Sequence, residues 1–358
     1  MYDIYTPFVH SLLSKITDEV LLPLADKAEM DGYTYYSQGL DLISWLDGTF
    51  THPTEEYLAS IPLSLPLIGV AQLAQYVVAC RVADVHPGQM RSLFKGATGH
   101  SQGVVSAVAI ASSDSWESLE SNILKAVKHL FYLGLRGQEG FPLLSLEPHI
   151  VADSIENNEG TPTPMLGVYG LNVKALQGHI KKVNAHLPSN SQIDISLYNS
   201  PTAFVVCGPA KALYGLVTAL RKVMAPPGLD QGRIPFSKRK AVFNMRFLPV
   251  NVPYHSQYLV GQTEKLVQED LGGEIWSPSD LSIAIYNTED GTSLSNAIAN
   301  IRIRFASIHL PRRLAQRPDL YQAHSLGQSL QLPFHRHTRR RFRTRWCIRY
   351  RTIDWSSS

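Results

Sequence analysis

The chain is poor in the residues that would announce a metal centre or a disulfide scaffold. Its 358 residues hold three cysteines, Cys80, Cys207 and Cys347, too widely spaced for a zinc pattern or a disulfide framework. Free, buried thiols in a reducing cytoplasmic setting are the expectation for Cys80 and Cys207. Charged residues make up only 18% of the chain against 44% hydrophobic ones, a balance that fits a soluble globular protein and excludes a disordered one. No charge-free apolar run is unbroken enough to read as a membrane span: the stretch from Leu58 to Cys80 is interrupted by Pro62, Pro66, Gln72 and Gln75 and reads as a strand or loop followed by a buried helix. Gln72 and Gln75, three apart, read as a hydrogen-bonded polar stripe on that helix. No signal-peptide pattern opens the chain.

Lysine is absent from the last 58 residues, where thirteen arginines face two acids, Asp319 and Asp354. That segment carries +11 in a chain of net +3, so residues 1–300 carry −8. An arginine-only run with no amphipathic order is not the composition of a nucleic-acid arm, which mixes Lys with Arg, and nucleic acid is not an expected partner. Residues 301–358 are read as an Arg-rich tail, poorly ordered or translated in a shifted frame.

What is present is a nucleophile-elbow pattern, Gly99-His100-Ser101-Gln102-Gly103. It follows an expected strand, Arg91 to Thr98, and precedes Val104 to Ala111, small and apolar on nearly every face as a helix buried on a sheet would be. In such a turn the serine adopts a strained backbone, and glycines two residues before and after it let strand and helix close up. Ser101 is therefore the candidate nucleophile. A serine hydroxyl needs an imidazole within hydrogen-bond reach to take its proton. Of thirteen histidines, His255, in Pro253-Tyr254-His255-Ser256, lies at the end of an expected strand and follows the elbow in the order nucleophile then base.

Around these motifs the pattern predicts helices at Phe8 to Leu24, within Tyr36 to Leu46 and over Trp116 to Gly134. From Met165 a compact alternation begins. Strands are expected at Met165–Leu171, Gln192–Tyr198, Ala203–Cys207 and Arg246–Val252, with helices at Val173–His186 and Ala210–Met224 and turn chemistry in Asn199-Ser200-Pro201-Thr202. This is a split βαβ arrangement of the ferredoxin-like kind. The expected organisation is a core of residues 1–164 and 251–300, an inserted subdomain of 165–250, and the tail.

The elbow, the Asn199-Ser200-Pro201 turn with Val205-Val206-Cys207-Gly208, and His255-Ser256 together resemble the acyl-CoA:acyl-carrier-protein transacylases. Ser60 to Val70, Asp114 to Ser118 and Gly228 to Ser237 narrow the likeness to the acetyltransferase domain of the fungal fatty acid synthase beta subunit, over about Asp3 to Ser295. The resemblance implies an α/β hydrolase-like core with a mostly parallel sheet and an inserted ferredoxin-like subdomain. It implies Ser101 as acyl acceptor, His255 as its base, the Gln102 amide as an oxyanion-hole donor, no metal and no permanently bound cofactor. Acyl-CoA would be the donor and the phosphopantetheine of an acyl carrier protein domain the acceptor, alongside other fatty acid synthase domains or the alpha subunit and without a membrane. Arg136, where malonyl-specific relatives carry a carboxylate clamp, and Asn199 are the substrate-binding candidates, the alternatives being a structural arginine paired with a nearby acid and an asparagine that shapes the turn near the pocket; an acetyl or short-chain acyl group is the expected cargo. The family's Gly-Gln-Gly and Phe-Gly-Pro-Gly-Gly elements have no match here, so the core is expected to lack an N-terminal strand and a closing segment. Two other readings share the architecture: a thioesterase or esterase, and an inactive synthase fragment that keeps only interaction surfaces.

Overall fold

A computed structural model describes residues 2–226, 228–272, 276–288 and 291–296; the Arg-rich tail and Cys347 lie outside the described residues. The chain opens with α1 (Tyr2–Ile16), continues through a π-helical turn over Thr17–Leu21 and runs on as α2 (Leu22–Met30). The first helix is thus longer than its periodicity predicts, and Pro23, with no N–H to donate to the preceding turn, lies just past the π-helical stretch, where the helical ladder already changes register. Two short helices follow, α3 (Leu42–Leu46) and α4 (Glu55–Ala59). Asp41 and Thr54 cap them by accepting from the Ser44 and Tyr57 amides.

The next two long helices form the centre of the core. α5 (Ile61–Val82) takes in all but the first three residues of the Leu58–Cys80 stretch, expected to begin as strand or loop, with Pro62 in its first turn and Pro66 one turn on. It is the one described helix long and apolar enough to cross a membrane by length and composition, yet Ile61, Leu63, Leu73, Val77 and Cys80 are buried. Gln72 accepts from Ser106 Oγ at 2.7 Å. After α6 (Pro87–Ser92), strand β1 (Gly96–Thr98) and α7 (Gly103–Ala111) comes α8 (Trp116–Gly140), which Ser115 caps through the Ser118 amide. Gly134 does not end α8 as the sequence suggests. A Cβ there would stand 2.8 Å from the Ile61 carbonyl oxygen, so the glycine serves the close crossing of α5 and α8. The expected strand from Arg91 shrinks to three residues because Pro87 starts a helix, its entry fixed by the Gln89 side chain accepting from the His86 amide. Arg91 instead lies buried on α6, bonded to the Ser113 carbonyl and paired with Asp114.

His129, on α8, is 4% exposed, and burial lowers its pKa from 6.5 to about 4. The folded protein therefore resists protonation that the unfolded chain accepts, and stability falls as pH drops from 6.5 toward 4, by on the order of 3 kcal/mol at full extent. Urea midpoints at pH 7 and pH 4.5 check this. The loss is expected to be smaller in His129→Leu than in the wild type, and equal losses would rule the histidine out as its source.

Beyond α9 (Pro148–Glu156) lies the inserted unit: β2 (Met165–Tyr169), α10 (Val173–Asn184), β3 (Asp194–Ser200), β4 (Ala203–Cys207), α11 (Ala210–Arg221) and β5 (Asn244–Phe247). Its four strands form an antiparallel sheet in the order β3-β4-β2-β5, the ferredoxin-like topology. Leu166, Val168, Phe204, Val206, Met245 and Phe247 cluster with buried residues of α10 and α11 in a core of their own. Register shifts in β3 keep Asn199 and Ser200 within the strand, and only Pro201 and Thr202 make the hairpin turn. β5 stops at Phe247, before Pro249, which has no amide to donate. The chain then passes through α12 (Gln262–Lys265) to β6 (Ala284–Tyr286), which pairs parallel with β1 across Gly96–Ala284, Ala97–Ile285 and Thr98–Tyr286. The core's sheet, expected to be mostly parallel, is this parallel pair among the described residues, and the four antiparallel strands are those of the ferredoxin-like unit. Much of the apolar core that a wider sheet would bury is covered here by α5, α7 and α8.

Candidate active site

β1 hands the chain to α7 through a turn with no slack. Ser101 sits at φ +53°, in the left-handed region that costs a non-glycine residue about 1–3 kcal/mol. Gly99 makes the turn possible: a Cβ there would lie 2.1 Å from the Gly103 carbonyl carbon and 2.2 Å from the Val104 amide nitrogen. Gly103 is different, since a Cβ on it would meet nothing within 4 Å. Of the two glycines in the motif, the packing here requires only the first. The Gly103 and Val104 amides donate to the His100 and Ser101 carbonyls at 3.0 and 3.1 Å, whereas the Gln102 amide enters neither bond and heads α7. There the helix dipole favours a negative charge.

His255 arrives from the far side of the ferredoxin-like unit. Its Nε2 lies 2.9 Å from Ser101 Oγ across 154 residues of sequence, and it too has a left-handed backbone, φ +61°. The neighbouring Tyr254 anchors it to α8. Its hydroxyl donates to the Leu133 carbonyl at 3.1 Å, and its ring lies where a Cβ on Gly137 would be, 2.3 Å from the phenolic oxygen. Burial pushes the Tyr254 phenol well above its ordinary pKa, which keeps it a neutral donor. Burial likewise pushes the Cys207 thiol up to about 12, so this free cysteine is no rival nucleophile.

The remaining sequence candidates divide. Asn199 accepts at Oδ1 from the His100 Nε2–H at 3.1 Å, which ties the β3 bulge to the residue just before Ser101. Sequence reasoning singled out Asn199 but not its partner, and nothing local to either residue signals a pair 99 positions apart. Arg136, offered as a clamp for a substrate carboxylate, has that edge filled: Nε and Nη2 each donate to Asp270 at 2.8 Å, and Nη1 donates to Tyr33 and Glu139. The Asp270 side chain is 5% exposed, so this is an enclosed bidentate pair holding α8 to the turn after α12.

The family described as starter unit:ACP transacylase in aflatoxin biosynthesis matches residues 3–240 of the chain. The fatty acid synthase subunit beta of Saccharomyces cerevisiae is 45% identical over 315 residues, which cover 87% of this chain and 15% of that protein. Its counterpart in Schizosaccharomyces pombe is 41% identical over 294 residues, 82% of this chain and 14% of that one. This chain therefore spans about a seventh of the length of these curated relatives. Among solved structures, one of a malonyl-transacylase in complex with a type II PKS acyl-carrier protein superposes with a TM-score of 0.52 at 18% identity, covering 91% of this chain and 81% of that one. At that identity the likeness is one of fold.

Proposed function

Because this chain belongs to the starter unit:ACP transacylase family, we propose that it carries an acyl group from coenzyme A to a carrier-bound thiol by way of Ser101. The observation that carries this reading is the 2.9 Å approach of Ser101 Oγ to His255 Nε2. In the first half-reaction the Ser101 hydroxyl attacks the thioester carbonyl as His255 takes its proton, and the Gln102 amide donates to the oxyanion. Collapse breaks the carbon–sulfur bond, and His255 protonates the departing CoA thiolate. In the second half, His255 deprotonates the phosphopantetheine thiol, which attacks the acyl-serine ester. The proton returns to Oγ as the thioester leaves. Substrate and product are both thioesters, so neither redox chemistry nor an added cofactor is needed.

The occupied fork of Arg136 supports an uncharged cargo, acetyl or another short acyl group, over one with a free carboxylate. Similarity to synthase beta subunits supports an acyl carrier domain and neighbouring synthase domains as partners. Buried free thiols at Cys80 and Cys207 support a reducing, cytoplasmic setting. The test is the choice of acceptor. With acetyl-CoA and a phosphopantetheinylated carrier domain, or pantetheine alone, the acyl group is expected on the thiol at least about tenfold faster than it is released as acetate, a difference of about 1.4 kcal/mol in barrier. Faster release to water would make the protein a thioesterase.

A further inference from the structure

His255 is one of four non-glycine residues at positive φ among the described residues, and from that backbone its Nε2 reaches Ser101 Oγ. Three hydroxyl-bearing residues flank it in the chain. Tyr254 is bonded to α8, as above. Tyr258 donates to the Gln192 carbonyl, just ahead of β3, at 2.6 Å. Ser256, between them and 4% exposed, donates from Oγ to the Pro253 carbonyl at 2.5 Å and accepts from the Tyr258 amide at 3.3 Å. Of the three, only Ser256 has a hydroxyl bond that runs across His255, to the Pro253 carbonyl two residues before the histidine; its second bond, from the Tyr258 amide, holds the chain just after it. The two tyrosines fix the ends of the segment, while the serine fixes the torsions in between.

We infer that Ser256 is a positioning residue, whose hydroxyl holds His255 in the left-handed backbone that presents Nε2 to Ser101. Without that hydroxyl, the 253–258 turn loses the two bonds it makes to Pro253 and Tyr258, and His255 shifts toward an extended or right-handed backbone, which swings the imidazole off the serine. A displacement of about 1 Å at a reacting pair costs on the order of 10²-fold in rate, with little effect on substrate affinity, because the Ser256 hydroxyl is spent on Pro253 and Tyr258 and not on the acyl donor. The inference extends the transacylase reading, but its first readout does not depend on it.

The test compares the wild type with Ser256→Ala and Ser256→Thr in two assays: labelling of Ser101 by a fluorophosphonate, which reports base-activated nucleophilicity alone, and acyl transfer from acetyl-CoA. Ser256→Ala is expected to slow both by about 10²-fold while KM for acetyl-CoA stays within about twofold, and Ser256→Thr, which keeps the hydroxyl, to recover most of the rate. Should the added methyl prevent Ser256→Thr from folding, Ser256→Cys, with its weaker donor, is expected to fall between alanine and serine. Labelling of folded Ser256→Ala at the wild-type rate would overturn the inference. So would a loss that merely follows the fraction unfolded in thermal melts, with no recovery in the hydroxyl-bearing variant. A wild type that labels rapidly but takes no acetyl group would instead count against the transacylase reading and leave the Ser256 comparison intact.

Discussion

His255→Asn is expected to slow acylation of Ser101 by about 10²- to 10⁴-fold, the range that a positioned general base contributes, which corresponds to roughly 3 to 5 kcal/mol of barrier. Asparagine is the informative choice because it tolerates the left-handed backbone that His255 adopts at φ +61°, whereas alanine would add backbone strain to the loss of the imidazole. The folded state should survive, since Tyr254 and Ser256 keep their bonds to Leu133 and Pro253. Single-turnover acylation by acetyl-CoA, followed by intact mass, reads the rate. A variant that acylates at close to the wild-type rate would show that something other than His255 takes the serine proton.

The second large effect separates two glycines that the motif treats alike. Gly99→Ala drives a methyl group to within 2.3 Å of backbone atoms of Gly103 and Val104, and backbone at the head of a packed helix cannot step aside. The expected result is destabilisation of about 1–3 kcal/mol and a loss of acylation of on the order of 10²-fold as Ser101 shifts relative to His255. Gly103→Ala places its methyl in open space, in the first turn of a helix, where alanine is favoured over glycine by up to about 1 kcal/mol. Its acylation rate and thermal midpoint are expected to match or exceed the wild type. If both alanine variants failed alike, the turn would have to differ from the one described here.

The contrast shows where the sequence speaks and where it does not. The elbow is legible because its geometry is local: five residues set the turn, and the small apolar run after Ser101 reads at once as a buried helix. The ferredoxin-like alternation is legible for the same reason, each strand and helix carrying its own periodicity. Strand ends are less so. β1 and β5 are shorter than expected because Pro87 and Pro249 act on the backbone rather than on the hydrophobic pattern. The α5 helix was obscured by prolines that its first turns accommodate. Least legible are the pairs that the fold alone assembles. Periodicity marks His255 as one strand-end histidine among thirteen, and its place opposite Ser101 came from family resemblance. The filling of the Arg136 fork by Asp270, 134 residues away, and the seat of Tyr254 on Gly137 have no signature in either segment. They depend on how α8 meets chain that comes more than a hundred residues later.

The central claim is that Ser101 accepts an acyl group with the help of His255, and peptide mapping after a brief acetyl-CoA pulse tests it most directly. The account predicts an acetyl ester on the peptide containing Ser101, removed when a phosphopantetheine thiol is added and absent from Ser101→Ala. Folded wild-type protein that carries no acetyl group, or carries it at a residue other than Ser101, would contradict it.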